Sequence, residues 1–253
     1  MTAPTLQKAA ADGDVVLLPI GAVEQHGPHL PTDVDIRCAL SVAEEAARRR
    51  GYMIVAPPVW WGLSDAHRGF GGLLTLRPET FLNLLRDLCN SILDDGFRKL
   101  VLVVAHGSNR APVQIVLSEM TQTRDARIMH VNYLPLAARV FREVRTSPPG
   151  GDFHAGEAET ALLLHLAPEL VHMKRARSSP LDPMRAHGVS FTGRDLFSPG
   201  DAAVGWKLKE GYPDGVVGDP TVATAETGAA IFRASVERLC ELVDEYHELE
   251  LNR

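Results

Sequence analysis

Leu100-Val101-Leu102-Val103-Val104 is an unbroken apolar run that ends abruptly in Ala105-His106-Gly107-Ser108-Asn109. Five apolar residues with no polar alternate read as a strand buried on both faces, the signature of a parallel sheet covered by helices. Upstream, Pro78 opens a helix with apolar positions Phe81, Leu82, Leu85, Leu88, Ile92 and Leu93, stopped by Gly96. Downstream, the pattern predicts a helix over Ala111 to Gln122, a strand over Arg127 to Tyr133 and a helix over Leu136 to Val144.

The same alternation extends toward the N-terminus. Val15-Val16-Leu17-Leu18-Pro19-Ile20 reads as another fully buried strand. A helix from Ile36 to Arg50 follows, with Ile36, Ala39, Leu40, Ala43 and Ala47 at helical spacing. Arg48, Arg49 and Arg50 suit the negative end of its dipole, and Gly51 stops it. Met53 to Ala56 is a third strand, closed by Pro57-Pro58. Strands separated by helices of this length imply βαβ crossovers and a three-layer α/β fold, a mainly parallel β-sheet with helices on both faces.

Past the loop Ser147-Pro148-Pro149-Gly150-Gly151 the rhythm changes. A helix is expected over Glu157 to Leu166 and another over Ala225 to Leu249. Lys174 to Pro220 is long, rich in Gly and Pro and without periodicity; such loops are often functional, and this one is expected to shape a pocket. With no internal repeat or linker, residues 1–253 read as a single domain.

A net charge of −6 and 45% apolar content describe an ordinary globular protein and argue against nucleic-acid binding, which favours a basic surface. No apolar run is long enough to span a membrane, and Met1 to Asp14 lacks the features of a signal peptide. Cys38, Cys89 and Cys240 are odd in number and unpaired in spacing, which suits buried thiols in a reducing cytoplasm.

Ligands of open parallel sheets sit beyond the carboxyl ends of the strands. After Ile20 come Glu24, His26, His29, Asp33 and Asp35; after Val104 comes His106. Glu24 and His26 share a face of an extended segment. With Asp35 and His106 they form a mixed nitrogen and oxygen set that suits zinc, manganese or iron. Each has an ordinary alternative: Asp35 as a helix cap, Glu24 and His26 as surface groups. Four unrelated roles are a poorer explanation than one site.

His154-Ala155-Gly156-Glu157-Ala158-Glu159-Thr160 is a second cluster. Its two glutamates suit a helix N-terminus, whereas His154 could exchange a proton in a cleft. His67 and Arg68, before Gly69, Gly71 and Gly72, fit a flexible turn better than a cleft wall, and Trp60-Trp61 fits packing better than a pocket floor. Neither Ser64 nor Ser108 shows nucleophile-elbow spacing, and no phosphate or dinucleotide loop occurs.

The segment from Leu18 through Gly21-Ala22-Val23-Glu24-Gln25-His26-Gly27-Pro28-His29-Leu30-Pro31-Thr32-Asp33-Val34-Asp35 closely resembles the signature of the creatininase family. His106-Gly107-Ser108-Asn109, His154-Ala155-Gly156 through Glu159-Thr160, and Gly218-Asp219-Pro220 continue the resemblance in order. It implies an α/β metal-dependent hydrolase, often hexameric, of a family acting on creatinine, formamides, the mycofactocin precursor peptide and some cyclic ketones. It further implies Glu24, Asp35 and His106 on one metal, and His26 with a bridging Asp35 on a second. His154 would be a catalytic acid or base, and Glu159 a ligand or a proton-handling catalytic carboxylate. Creatininase itself has glutamate where this chain has Ser108, and tryptophans between the fourth strand and the His154 cluster, where this chain has none. Creatinine is thus a poor match, and the formamide and peptide members a better one.

The expectation is a cytoplasmic homo-oligomeric amidohydrolase carrying one or two divalent ions (Zn, Mn or Fe) per chain and cleaving the C–N bond of a small molecule or short peptide. A lactone or ketone hydrolase built on the same machinery, and a non-catalytic relative, are the alternatives.

Overall fold

In a computed structural model, which describes residues 1–182, 195–197, 202 and 204–249, four parallel strands stand in the order β2-β1-β3-β4. They are β1 (Val15–Ile20), β2 (Met53–Val55), β3 (Lys99–Val104) and β4 (Arg127–Asn132). Val15 pairs with Met53 on one side and with Lys99 on the other, and Lys99 pairs with Arg127. Every residue of β1 and β3 is buried, as expected of unbroken apolar runs at the centre of a parallel sheet.

Successive side chains on these strands feed opposite cores. Val15, Leu17, Val101 and Val103 pack against α2 (Val34–Arg49), α7 (Glu157–Leu166) and α9 (Ala225–Glu248). Val16, Leu18, Ile20, Leu100, Leu102 and Val104 pack against α1 (Ala3–Asp12), α3 (Pro78–Asp94) and α4 (Arg110–Thr123). Each of these buried aliphatic side chains contributes about 1.5–3 kcal/mol. An aspartate at fully buried Leu102 would find no partner and would break that core.

The three-layer α/β reading therefore holds. The chain differs from the expectation in detail. α1 is a helix where none was expected, contributing one buried residue, Ala9. After β4 come two short helices, α5 (Tyr133–Leu136) and α6 (Ala138–Val144), in place of a strand reaching Tyr133 and one helix from Leu136. A two-stranded antiparallel ribbon joins β5 (Asp152–His154) to β6 (Val217–Gly218). The Lys174 to Pro220 stretch holds β6 and the one-turn helix α8 (Leu208–Gly211), while its residues 183–194, 198–201 and 203 lie outside the described residues. Gly228 lets α9 lie directly on α7, since a Cβ there would stand 1.9 Å from the Ala161 carbonyl oxygen. Cys38, Cys89 and Cys240 are buried free thiols. Among the described residues no helix is long and apolar enough to cross a membrane.

Candidate metal centre

Ile20 and Val104 end β1 and β3 as register partners, so the loops that follow leave the same edge of the sheet side by side. Asn109 fastens them together. Its Nδ2 donates to the Gly21 carbonyl (2.8 Å) and its Oδ1 accepts the Leu63 N–H (2.9 Å). Both loops thus become walls of one site, at the place open parallel sheets reserve for ligands.

Glu24, His26, Asp35 and His106 meet there, all buried. His106 Nδ1 lies 3.3 Å from Glu24 Oε1 and 3.4 Å from Asp35 Oδ2, and His26 Nε2 lies 3.6 Å from Asp35 Oδ1. The helix-cap alternative for Asp35 fails on position. α2 begins at Val34, the flanking residue is Asp33, and Asp33 pairs with Arg37 at 2.8 Å without capping the helix. Asp35 sits in the first turn, 3% exposed, and turns its carboxylate into the cluster.

Backbone carbonyls fix the orientation of the imidazoles. His26 Nδ1–H donates to the Glu24 carbonyl (3.1 Å) and His106 Nε2–H to that of Leu63 (2.8 Å). The other ring nitrogens, Nε2 of His26 and Nδ1 of His106, face the carboxylates, the arrangement that outer-shell acceptors impose on metal-binding histidines. Both Glu24 carboxylate oxygens, His26 Nε2 and Asp35 Oδ2 are buried with no hydrogen-bond partner. Buried polar atoms without partners cost several kcal/mol when charged, and a cation between them removes that cost. The donor set of carboxylate oxygens and imidazole nitrogens suits zinc, manganese or iron.

The electrostatics of the protein's own groups agree. Burial draws the His26 pKa down, but the Asp35 carboxylate 3.6 Å away reverses this and carries it up to about 10. Burial likewise pulls the His106 pKa down, but Glu24 and Asp35 override it and raise it to about 9. Burial pushes Glu24 up, with His106 pulling back. Asp35 is raised by burial, yet the adjacent His106 and His26 imidazoles hold it well below the usual carboxylate range. Positive charge is in demand here, and protons supply it where no metal does.

The second cluster reaches the same place. His154, at the end of β5, brings Nδ1 to 3.7 Å from Glu24 Oε1 while its Nε2–H donates to the Gln25 carbonyl (2.7 Å). Its ring lies 4.4 Å, centroid to centroid, from that of His26. Burial keeps it neutral, with a pKa well below the ordinary histidine value. Glu159, in the first turn of α7, accepts the Ala155 N–H at 2.6 Å, and burial raises its pKa. Potential ligand atoms fall into three overlapping sets: Glu24–Asp35–His106, His26–Asp35–Glu159 and Glu24–His26–His154. Glu157 does not face the site; its carboxylate accepts the N–H groups of Thr146 and Ser147, each at 2.7 Å, and so ties down the preceding loop. His29 Nε2 meets Thr160 Oγ1 at 3.0 Å and joins the signature loop to α7.

Two residues passed over at the sequence level belong here. His67, read as part of a flexible turn, is buried with Nε2 3.2 Å from Glu24 Oε1, and burial lowers its pKa to about 3. Gln25 Nε2 donates to His67 Nδ1 (3.0 Å) and to the Gly215 carbonyl (3.1 Å), which leaves the His67 Nε2–H aimed at Glu24. Gly215 is required by this contact: it has φ +78°, and a Cβ there would stand 1.9 Å from Gln25 Oε1. The spacing of His67 offered no signal, since it sits in a three-residue 3₁₀ turn among glycines.

Asp35, His67, His106, His154 and Glu159 line a cleft of about 470 Å³. Ser108 and Arg110 stand at its side, and Leu134, Phe153, Leu196 and Trp206 form an apolar wall. Trp60 and Trp61 are not part of it and are partly exposed.

A family model described as creatininase, creatinine amidohydrolase, matches residues 1–243. The chain belongs to the creatininase family. The mycofactocin precursor peptide peptidase of Mycobacterium ulcerans (strain Agy99) is 33% identical over 232 residues, covering 88% of this chain and 81% of that protein. The 3-dehydro-scyllo-inosose hydrolase of Thermotoga maritima is 29% identical over 260 residues, covering 98% and 82%. A crystal structure of creatinine amidohydrolase superposes with a TM-score of 0.80 at 23% identity, covering 99% of this chain and 97% of that one, and establishes the creatininase fold. These relatives are named as a peptidase and a hydrolase, and this family member brings together His, Asp and Glu groups that could hold a metal ion.

Proposed function

We propose that this chain, acting as one domain over residues 1–253, is a metal-dependent amidohydrolase that cleaves an amide, formamide or short-peptide C–N bond. The observation that carries the reading is the group of buried, partnerless atoms on Glu24, His26 and Asp35 beside His106, with Asp35 and His106 opening onto one cleft. The peptide-cleaving relative and the creatininase kinship support the choice of bond.

Glu24, Asp35 and His106 would hold one ion, and His26, Asp35 and Glu159 a second, with Asp35 shared. The second set needs no carboxylate at position 108, where this chain has Ser108. Zinc, manganese and iron all suit these donors; creatininase has been solved in a manganese form and a mutant creatininase in a zinc–zinc form. When bound, such an ion brings the pKa of its water toward ~7 and polarises a carbonyl oxygen.

The two sets leave His154 to manage protons. Its Nε2–H is engaged by the Gln25 carbonyl, so Nδ1 faces the cluster as the basic atom. Nδ1 would take a proton from the attacking water and pass it to the leaving nitrogen, which departs poorly as an anion. With only the first ion bound, Glu159 is the nearby carboxylate able to share that duty, since burial favours its protonated form. His67 and Gln25 hold Glu24 in place. We place the enzyme in the cytoplasm as a homo-oligomer, with a hexamer the expected form.

The test is release of amine or formate from a panel of amides, formamides and short peptides, before and after chelation. Activity should vanish on chelation and return with zinc, manganese or iron; full activity in metal-free protein would end the proposal. A second reading, opening of a ring beside a ketone, is favoured by the Thermotoga relative, which is named for an inosose. It would show as turnover without amine or formate.

A further inference from the structure

We propose that Arg110 selects the substrate of this site: an amide whose leaving part carries a carboxylate, with an apolar group against Leu134, Phe153 and Trp206. The inference rests on the hydrolase reading for what happens to the bond, but not for what binds.

Among the described residues that line the cleft, Asp35, Glu159 and the histidines belong to the metal centre, and Arg110 is the sole permanent cation. Arg50, Arg86, Arg124 and Arg145 each meet an acid. Arg110 meets none among the described residues; its one side-chain bond runs from Nε to Asn132 Oδ1 at 2.9 Å. Asn132 is itself fixed, as the last residue of β4 and the register partner of Val104. The contact pins the guanidinium by its inner nitrogen and leaves the two terminal nitrogens to the cleft, a fork matched to the two oxygens of a carboxylate. Ordering the side chain beforehand reduces the entropy lost on binding.

Its position gives the chemistry. Arg110 opens α4, four residues after His106, with the 3₁₀ turn Gly107–Asn109 between them. At roughly 1.5–2 Å of rise per residue, its Cα stands about 6–8 Å from that of His106. Arg110, His106 and Asp35 line the same cleft, so one small ligand can place a carboxylate on Arg110 and a carbonyl at the metal centre, as in an N-acyl amino acid or the last residue of a peptide. Ser108, uncharged and on the same cleft wall, offers no competing anion. Opposite, the Phe153 and Trp206 rings meet edge to face at 6.3 Å, and Trp206 packs on Tyr212 at 5.6 Å, giving a firm surface for an apolar side chain.

Titration calorimetry of the intact protein with N-formyl-phenylalanine and with its C-terminal amide tests this directly. The acid should bind roughly 10- to 100-fold more tightly than the amide, the worth of hydrogen bonds to a charged group. R110M should abolish the preference, and R110K, which keeps charge without the fork, should retain part of it. Thermal melts would verify that the variants fold, as expected for an exposed side chain. Equal binding of acid and amide, binding of neither, or a preference that survives in R110M overturns the assignment. Formate release, followed in parallel, separates the two ideas: a preference with no hydrolysis of any amide upholds Arg110 and defeats the hydrolase reading.

Discussion

Asp35→Asn offers the sharpest perturbation, because Asp35 is the residue shared by both proposed ligand sets. The substitution preserves shape and removes one charge. Ligand atoms in each set lie within 4.8 Å of one another, so an ion among them would sit closer than about 4 Å to the Asp35 oxygens. At that distance a single unit charge is worth about 4 kcal/mol at an effective dielectric of 20, a lower bound for a dication and equivalent to a loss of roughly 10³-fold in affinity. With metal at about 1,000 times its Kd, binding stabilises the native protein by about 4 kcal/mol. For a chain of this length each kcal/mol moves Tm by about 2–4 °C, so metal should raise the Tm of chelated wild type by about 8–16 °C. At the same metal concentration the variant would be only half loaded, a gain of about 0.4 kcal/mol and a rise of a degree or so. Differential scanning calorimetry with and without chelator reads this directly. A variant that keeps the full metal-dependent rise would refute the ligand role of Asp35.

Other outcomes follow from the same geometry. The raised pKa values of His26 (about 10) and His106 (about 9) mean that protons must leave both rings before metal binds, so affinity should climb as pH rises toward that range and fall as pH drops. Metal titrations in buffers of different ionisation enthalpy would count the protons, and a pH-independent affinity would contradict the assignment. His154→Ala should slow turnover by roughly 10²–10⁴-fold while metal content stays unchanged; loss of metal would move His154 into the ligand set with Glu24 and His26. Gly215→Ala, at φ +78°, should cost about 1–2 kcal/mol in backbone strain and a few degrees of Tm, and should lower activity by displacing Gln25 from His67. Unchanged melting and turnover would show that the Gln25 contact is not needed.

How much could be read beforehand follows from where the information is local. β1 and β3 are legible because a strand buried on both faces must be apolar at every position. Glu24, His26 and His106 stand at strand ends, so topology alone directs them to one edge. Asp35 taken alone reads as a cap, and only the cluster makes it a ligand, because one residue of helix register separates the roles and boundaries are the least local feature of a helix. His67 and Gln25 were not legible, since their partners are 42 and 190 residues away and no period marks such contacts. The β5–β6 ribbon is two to three residues long, too short to show alternation. α1 buries only Ala9 fully and rests Leu6 and Ala10 on the core, an apolar stripe one turn long and too short to stand out. Trp206 lines the cleft from inside the long stretch without periodicity, where no pattern marks it.

The central claim is that the cluster of Glu24, His26, Asp35, His106 and Glu159 holds the divalent metal on which turnover depends. Stepwise addition of zinc or manganese to chelated protein, with bound metal and hydrolysis measured on the same samples, tests it most directly. Activity should rise in proportion to bound metal and level off at one or two equivalents per chain. Chelated protein that turns over its substrate at the full rate, or that takes up no metal, would contradict the claim.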